Sequence, residues 1–202
     1  MRTNRRKMMY SNSKVELNVD HIIAKTGMGF ISDWIPGKDT KLVVTAMFTD
    51  SVIPKGNSYL VSSKGPDNAF RIMIGGDYNQ RMSFQMYNNK PFPIERPFMM
   101  NLAENTIYEF ELNSSFMRYN TNIMYRNRMV VGTVPLGIGC DHTYNAYKSA
   151  TFHIYSIKCW NNGILERDFV PAKDKGIYGL YDKVNKKFWR SSMGVDFLGK
   201  DK

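Results

Sequence analysis

A chain of 202 residues, 43% hydrophobic and 13% aromatic, carries enough apolar surface to bury a substantial core, which excludes global disorder. No run approaches the ~20 apolar residues of a membrane-spanning helix, and 2 cysteines are too few for a disulfide framework or a four-ligand zinc site. Lys and Arg number 28 against 18 Asp and Glu, a formal charge of +10, so nucleic acid, anionic surfaces and acidic proteins are the partners such a balance attracts.

The chain opens on a basic arm, residues 1–14, where Arg2, Arg5, Arg6, Lys7 and Lys14 precede any acidic residue. The arm lacks the apolar stretch and small-residue cleavage site of a signal peptide. Cytosolic residence, or release by lysis or particle assembly, is therefore expected. Two readings suit the arm: a solubilising tail, or a docking arm in which Arg2, Arg5, Arg6 and Lys7 meet an acidic partner surface.

Residues 15–202 read as one domain of short strands separated by turn signals, the pattern of a β-sandwich. Lys41–Phe48 is β-branched and apolar and predicts a central strand. Tyr59–Ser62 and Phe70–Ile74 follow, with Lys64-Gly65-Pro66-Asp67-Asn68 as the turn between them. In Arg81–Tyr87 the apolar Met82, Phe84 and Met86 alternate with polar residues, which predicts a half-buried strand. Prolines at 91, 93 and 97 argue against helix. Thr106–Leu112 sets Ile107, Glu109 and Glu111 on one face and Tyr108, Phe110 and Leu112 on the other. A pair of strands is expected within 122–131, turning near Arg126-Asn127-Arg128. Phe152–Trp160 is the strongest strand signal, and Asn161-Asn162-Gly163 turns it into Ile164–Val170. Ile177–Asp182 and Lys187–Trp189 predict a last hairpin. No segment sustains a helical apolar period.

The stretch from Tyr155 to Ala172 (YSIKCWNNGILERDFVPA), with Gly176-Ile177-Tyr178-Gly179-Leu180-Tyr181-Asp182 and Asn185-Lys186-Lys187-Phe188 after it, resembles a family signature. It is similar to the C-terminal half of laminin-G-like, concanavalin-A-type jelly rolls found in phages, prophages and surface proteins of gut anaerobes. Gly29-Phe30-Ile31-Ser32-Asp33, Ile35-Pro36 and Asp39-Thr40-Lys41 resemble the opening of the same domains more loosely. Asn4-Arg5-Arg6-Lys7-Met8-Met9 looks like the start of small phage structural proteins that carry such a domain. The likeness covers about residues 18–200, with its specificity in 154–189. Two departures stand inside it: Glu166 replaces an aliphatic residue and Cys159 an isoleucine. The resemblance implies an all-β, two-sheet antiparallel jelly-roll sandwich.

The signature itself reads as structural. Tyr155, Ile157 and Cys159 should share one strand face, with Ser156, Lys158 and Trp160 opposite. Pro171, lacking an N–H, should end the return strand. Gly179 allows close backbone approach. Trp34 and Trp189 are expected in the core, and Cys140 and Cys159 as reduced, buried thiols, with a disulfide between them left open.

Patterns that carry catalysis are missing. Sandwich glycosidases need carboxylates on one strand face; Glu109 and Glu111 stand two apart without a third, and Glu166 and Asp168 lie on another strand. A solvated outer face explains them. His21, His142 and His153 form no metal-ligand spacing, Cys140 with His142 makes a poor nucleophile pair, and no glycine loop leads a strand into a helix. No cofactor is expected except calcium, which laminin-G-like domains often hold; Asp20, Asp33, Asp39, Asp50, Asp67 and Asp77 are candidates that no spacing separates. For glycan binding, the useful groups are aromatic rings, on which pyranose faces stack, flanked by amide and hydroxyl side chains that meet the sugar hydroxyls. Asp141, His142, Tyr144, Asn145 and Tyr147 form the first such loop and Tyr78 marks the second; rim packing or a subunit contact is the alternative for each.

Joined together, these features lead to the expectation of a non-enzymatic phage virion protein. It would be a head or tail decoration, fibre or adhesion component, held to other virion proteins by the basic arm and displaying a lectin-like surface to host glycans. A bacterial glycan-binding lectin or adhesin module, extracellular or at the cell surface, is the alternative; an enzyme is third, and sequence-blind nucleic-acid binding last. Homo-oligomers are expected, because symmetric closure hides apolar patches; membrane insertion is not.

Overall fold

Runs of β-branched and aromatic residues suit the pleated, half-buried surface of a sheet, and here they pair antiparallel throughout. The structure, a computed structural model, describes residues 14–49, 57–64, 69–75, 82–87, 98–99, 102–125, 134–141 and 151–202. Every regular element among them is a strand. In chain order these are β1 (Val19–Ala24), β2 (Phe30–Ile31), β3 (Thr40–Phe48), β4 (Asn57–Lys64), β5 (Ala69–Gly75), β6 (Met82–Tyr87), β7 (Phe98–Met99), β8 (Tyr108–Asn113), β9 (Phe116–Tyr119) and β10 (Asn122–Tyr125). β11 (Gly137–Ile138), β12 (Phe152–Asn161), β13 (Ile164–Asp174), β14 (Ile177–Asp182), β15 (Lys187–Trp189) and β16 (Leu198–Asp201) complete the set. Among the described residues no helix is long and apolar enough to cross a membrane.

The strands build two sheets that form a sandwich. One has ten strands, ordered β10-β9-β8-β3-β12-β13-β14-β15, with β1 paired to β12 and β16 to β1; the other has six, ordered β2-β11-β4-β5-β6-β7. The core lies between them. From the larger sheet come Leu42, Val44, Phe110 and Ile154, and from the smaller Leu60, Phe70, Ile72 and Ile138. β3 shows the alternation most fully, burying Thr40, Leu42, Val44, Ala46 and Phe48 in turn. One end of the core is aromatic: Phe30 stacks on Trp189 with ring centroids 5.2 Å apart and meets the edges of Phe169 and Phe197 at 6.1 and 6.2 Å. Trp34 and Trp189 are buried, as expected. At the expected hairpin turn, Asn162 and Gly163 both have positive φ, 49° and 76°, the twist that suits a two-residue connection.

Two expectations need correction. Tyr155 does not share a face with Ile157 and Cys159. Against β3, Ile154 pairs with Ala46 and Ser156 with Thr45, so Tyr155 is the extra residue of a β-bulge. The bulge shifts the phase by one, turning Ile157 and Cys159 inward and leaving Tyr155 half-buried outside. Pro171 does not end β13, which runs on to Asp174. β12 last pairs at Phe169, and the next bonds on that edge join Lys173 to Glu16 at 2.8 and 2.9 Å. Strand alternation puts the Pro171 nitrogen on that same edge, in the gap between the two partners, where no donor is required. β10, the first strand expected within 122–131, pairs with β9 across Asn120-Thr121; the turn expected near Arg126-Asn127-Arg128 and the strand after it lie outside the described residues. β1 and β16, which no sequence signal announced, pair with each other across the end of the larger sheet.

Candidate functional site

The signature residues meet at one rim of the sandwich. Asp182, fully buried at the end of β14, accepts hydrogen bonds from the Asp168 N–H (3.1 Å), the Val184 N–H (3.1 Å) and the Asn185 Nδ2 (2.7 Å). Arg167 Nε lies 3.6 Å from it. Arg167 also donates to Asp33 Oδ1 through Nη2 and Nε, at 2.8 and 3.1 Å, and Lys187 donates to Asp33 Oδ2 at 3.2 Å. Burial alone would raise the Asp33 carboxyl pKa; Arg167 and Lys187 outweigh it and hold the group below its ordinary value. Glu166 is the extra residue where Cys159 pairs with Arg167 and Trp160 with Leu165. There it accepts from Trp34 Nε1 (2.9 Å) and Asn161 Nδ2 (2.8 Å). The departure noted at Glu166 thus supplies the acceptor that a buried indole N–H needs.

Other groups with chemical potential are also tied down. Glu111, buried on β8, and Glu109, exposed, both receive Arg118 Nη2 from β9, at 2.7 and 3.1 Å. The pair is a cross-strand charge clamp rather than two free carboxylates. Both cysteines are free and buried. Burial, reinforced by the charge of Asp141, pushes the Cys140 thiol up to about 12; burial likewise raises Cys159. At pH 8 roughly one Cys140 in 10⁴ is then a thiolate. Neither thiol is expected to react with an aromatic disulfide reagent at pH 8 until urea unfolds the chain, when both should. Equal reaction rates in the folded and unfolded protein would refute this.

Of the expected glycan loop, Asp141 stands three residues beyond the end of β11 and is 8% exposed, next to Cys140, whose Sγ–H donates to the Phe30 carbonyl at 3.4 Å. His142, Tyr144, Asn145, Tyr147 and Tyr78 lie outside the described residues, as do Arg2, Arg5, Arg6 and Lys7 of the arm. So do Asp50, Asp67 and Asp77 among the calcium candidates. Asp20 is bonded to His21, Asp33 to Arg167 and Lys187, and Asp39 is exposed. Among the described residues no three His, Cys, Asp or Glu side chains gather closely enough to hold a metal ion.

One cluster has no trace in local sequence. On the outer face of the larger sheet, His21 of β1 meets His153 of β12, with Nε2 and Nδ1 2.9 Å apart and ring centroids at 4.5 Å. Asp20 Oδ2 lies 2.9 Å from His21 Nδ1, and the Tyr155 ring is 5.2 Å from that of His21. The histidines are 132 positions apart in the chain. Only the β1–β12 register, which pairs Ile23 with His153, brings them together.

This chain is thus a two-sheet β-sandwich in which the carboxylates of Asp33, Glu111, Glu166 and Asp182 bind groups from other strands or segments. Compared with known proteins, it matches no family model and no curated relative.

Proposed function

We propose that the chain is a binding-and-display protein, a jelly roll of the laminin-G/concanavalin-A kind carried on a phage virion as a decoration, fibre or adhesion component. The observation that carries this reading is the fate of its signature. Arg167, Asp168, Asp182 and Asn185 are bonded to one another, and Glu166 to Trp34, so these residues build a scaffold rather than a reaction centre. Recognition would then fall to loops such as the one beginning at Asp141, and anchoring to the basic arm with Arg2, Arg5, Arg6 and Lys7. The partners would be acidic surfaces of other virion proteins, host glycans and further copies of the chain; no cofactor enters the reading.

Mass spectrometry of purified particles, with the full chain and with residues 1–14 deleted, tests it. The full chain should be found in particles and the truncated chain should be lost from them. Absence of the full chain from particles overturns the virion assignment, and assembly of the truncated form overturns anchoring by the arm. Glycan-array binding lost in Tyr144→Ala, combined with absence from particles, would move the protein to a bacterial lectin.

A further inference from the structure

The basic arm joins the folded domain at a fixed place. Glu16 exchanges two backbone hydrogen bonds with Lys173 near the end of β13, at 2.8 and 2.9 Å. The Asn18 carbonyl accepts from the Lys202 N–H at 3.2 Å. Residues 16–18 are thereby held between β13 and the residue that follows β16. β14 completes the corner, because Tyr178 bridges to Lys173 and to Phe197.

The charges at this corner are unbalanced. Lys14, Lys175 and Lys202 are exposed and Lys200 is half-buried, and among the described residues none of the four has an ion pair. The carboxylates beside them are mostly engaged. Asp201 accepts from Lys173 Nζ at 2.6 Å and from the Tyr178 hydroxyl at 3.2 Å. Asp20 is bonded to His21, Asp174 is not free, and Glu16 is the exposed exception. The Glu16–Lys173 bridge is antiparallel, so its register, carried two residues outward, brings Lys14 to the β13–β14 turn that holds Lys175. Like charges brought together repel, and an external anion relieves the repulsion. The arm extends the same charge, with Arg2, Arg5, Arg6 and Lys7 and no acidic residue before Lys14.

We infer that this corner is a docking surface for an acidic protein, in which Lys175, Lys200 and Lys202 continue the footprint of the arm. The inference rests on the anchoring role proposed for the arm and adds a surface that deleting the arm leaves in place. A protein suits the corner better than other polyanions do. Leu17 and Leu198 are 47% and 46% exposed beside the lysines, and protein interfaces combine apolar with charged contact. Nucleic acid bound without sequence preference needs free rings for its bases to stack on. The Tyr178 ring is covered by Lys173 at 4.6 Å and pressed against Gly199, where a Cβ would strike it. An anionic membrane needs a broad apolar face, which two leucines do not make.

Binding of the full chain to poly-L-glutamate, an acidic polypeptide, tests the surface, with duplex DNA and phosphatidylserine vesicles as rival probes. Lys175→Glu with Lys202→Glu should weaken poly-L-glutamate binding about tenfold, the scale of two exposed ion pairs turned into two repulsions. Lys38→Glu with Lys186→Glu changes the net charge equally at another exposed place. It should cost less than about twofold, because charges more than ~10 Å from a contact are screened. Equal losses in the two pairs, or no loss at the corner, overturn the surface. A corner loss as large for DNA or vesicles as for poly-L-glutamate overturns the choice of a protein partner. If the double reversal unfolds the chain, Lys175→Gln with Lys202→Gln takes its place, with about threefold expected. In purified particles the corner variant should be depleted relative to the full chain, and equal incorporation overturns docking there. Absence of the full chain itself from particles overturns the virion reading alone, and the poly-L-glutamate comparison still decides the corner.

Discussion

Asp182→Ala is expected to cost about 3–5 kcal/mol, the loss typical of removing one partner from a buried charged network. The side chain is fully buried and is the meeting point of three N–H donors and the Arg167 guanidinium. Alanine leaves the Asp168 and Val184 amides without an acceptor and the Asn185 amide with only the Glu166 carbonyl. It also withdraws the charge that balances Arg167 beside Asp33. Asp182→Asn keeps the volume and one acceptor oxygen but turns an NH2 towards a cluster of donors, so about half the loss should remain. Urea unfolding of both variants measures it: the midpoint should drop at nearly constant slope. A loss below about 1 kcal/mol for alanine, no more than one ordinary hydrogen bond, would show that the hub is not where the rim is held.

Phe30→Ala should cost a similar amount, about 3–5 kcal/mol, by a different route. Phe30 is 1% exposed and touches three aromatic rings, Trp189 face to face and Phe169 and Phe197 by their edges. Those neighbours come from β15, β13 and the segment before β16, so truncation opens a cavity that no single strand can close. Part of the loss is the missing transfer of the ring from water and part is the void. Phe30→Leu fills most of the space and should cost under half as much. Near-ultraviolet circular dichroism gives the local readout, since Trp189 loses its stacking partner. An unchanged aromatic spectrum together with a small stability loss would place the keystone of this end of the core elsewhere.

Local patterns made much of the fold legible. Period-two alternation located β6 and β8, a β-branched, apolar run located β3, and the hairpin at Asn162-Gly163 followed from backbone freedom that few residue types share. Gly179 was read as a close approach, and a Cβ there would collide with the Trp189 carbonyl and the Phe188 ring. Short-range signals failed where a partner strand decided the outcome. The bulge at Tyr155 is invisible in β12 alone, because it exists only as a mismatch with β3. Pro171 looked like a stop because its missing donor matters only if the edge it faces is paired, and there it is not. β1 escaped notice because its burial runs Val19, His21, Ile22 and Ala24, without alternation, owing to an irregular register against β16 between Val19 and His21.

The carboxylates divide in the same way. Counting residues showed that Glu109 and Glu111 share a face; it could not show that Arg118 from the next strand binds both. Glu166 read as a tolerated oddity until its bulge placed it under the Trp34 indole. His21 and His153 were dismissed as unpaired because metal and catalytic spacings are local, whereas theirs spans most of the chain.

By itself, then, the sequence determined the class of element, the turn at Asn162-Gly163 and the supply of core side chains, because these follow from the periodicity and conformational freedom of neighbouring residues. Only the tertiary structure decided register, bulges and which distant polar groups meet. Those depend on hydrogen-bond pairing between strands far apart in the chain, and a one-residue slip there exchanges inside for outside.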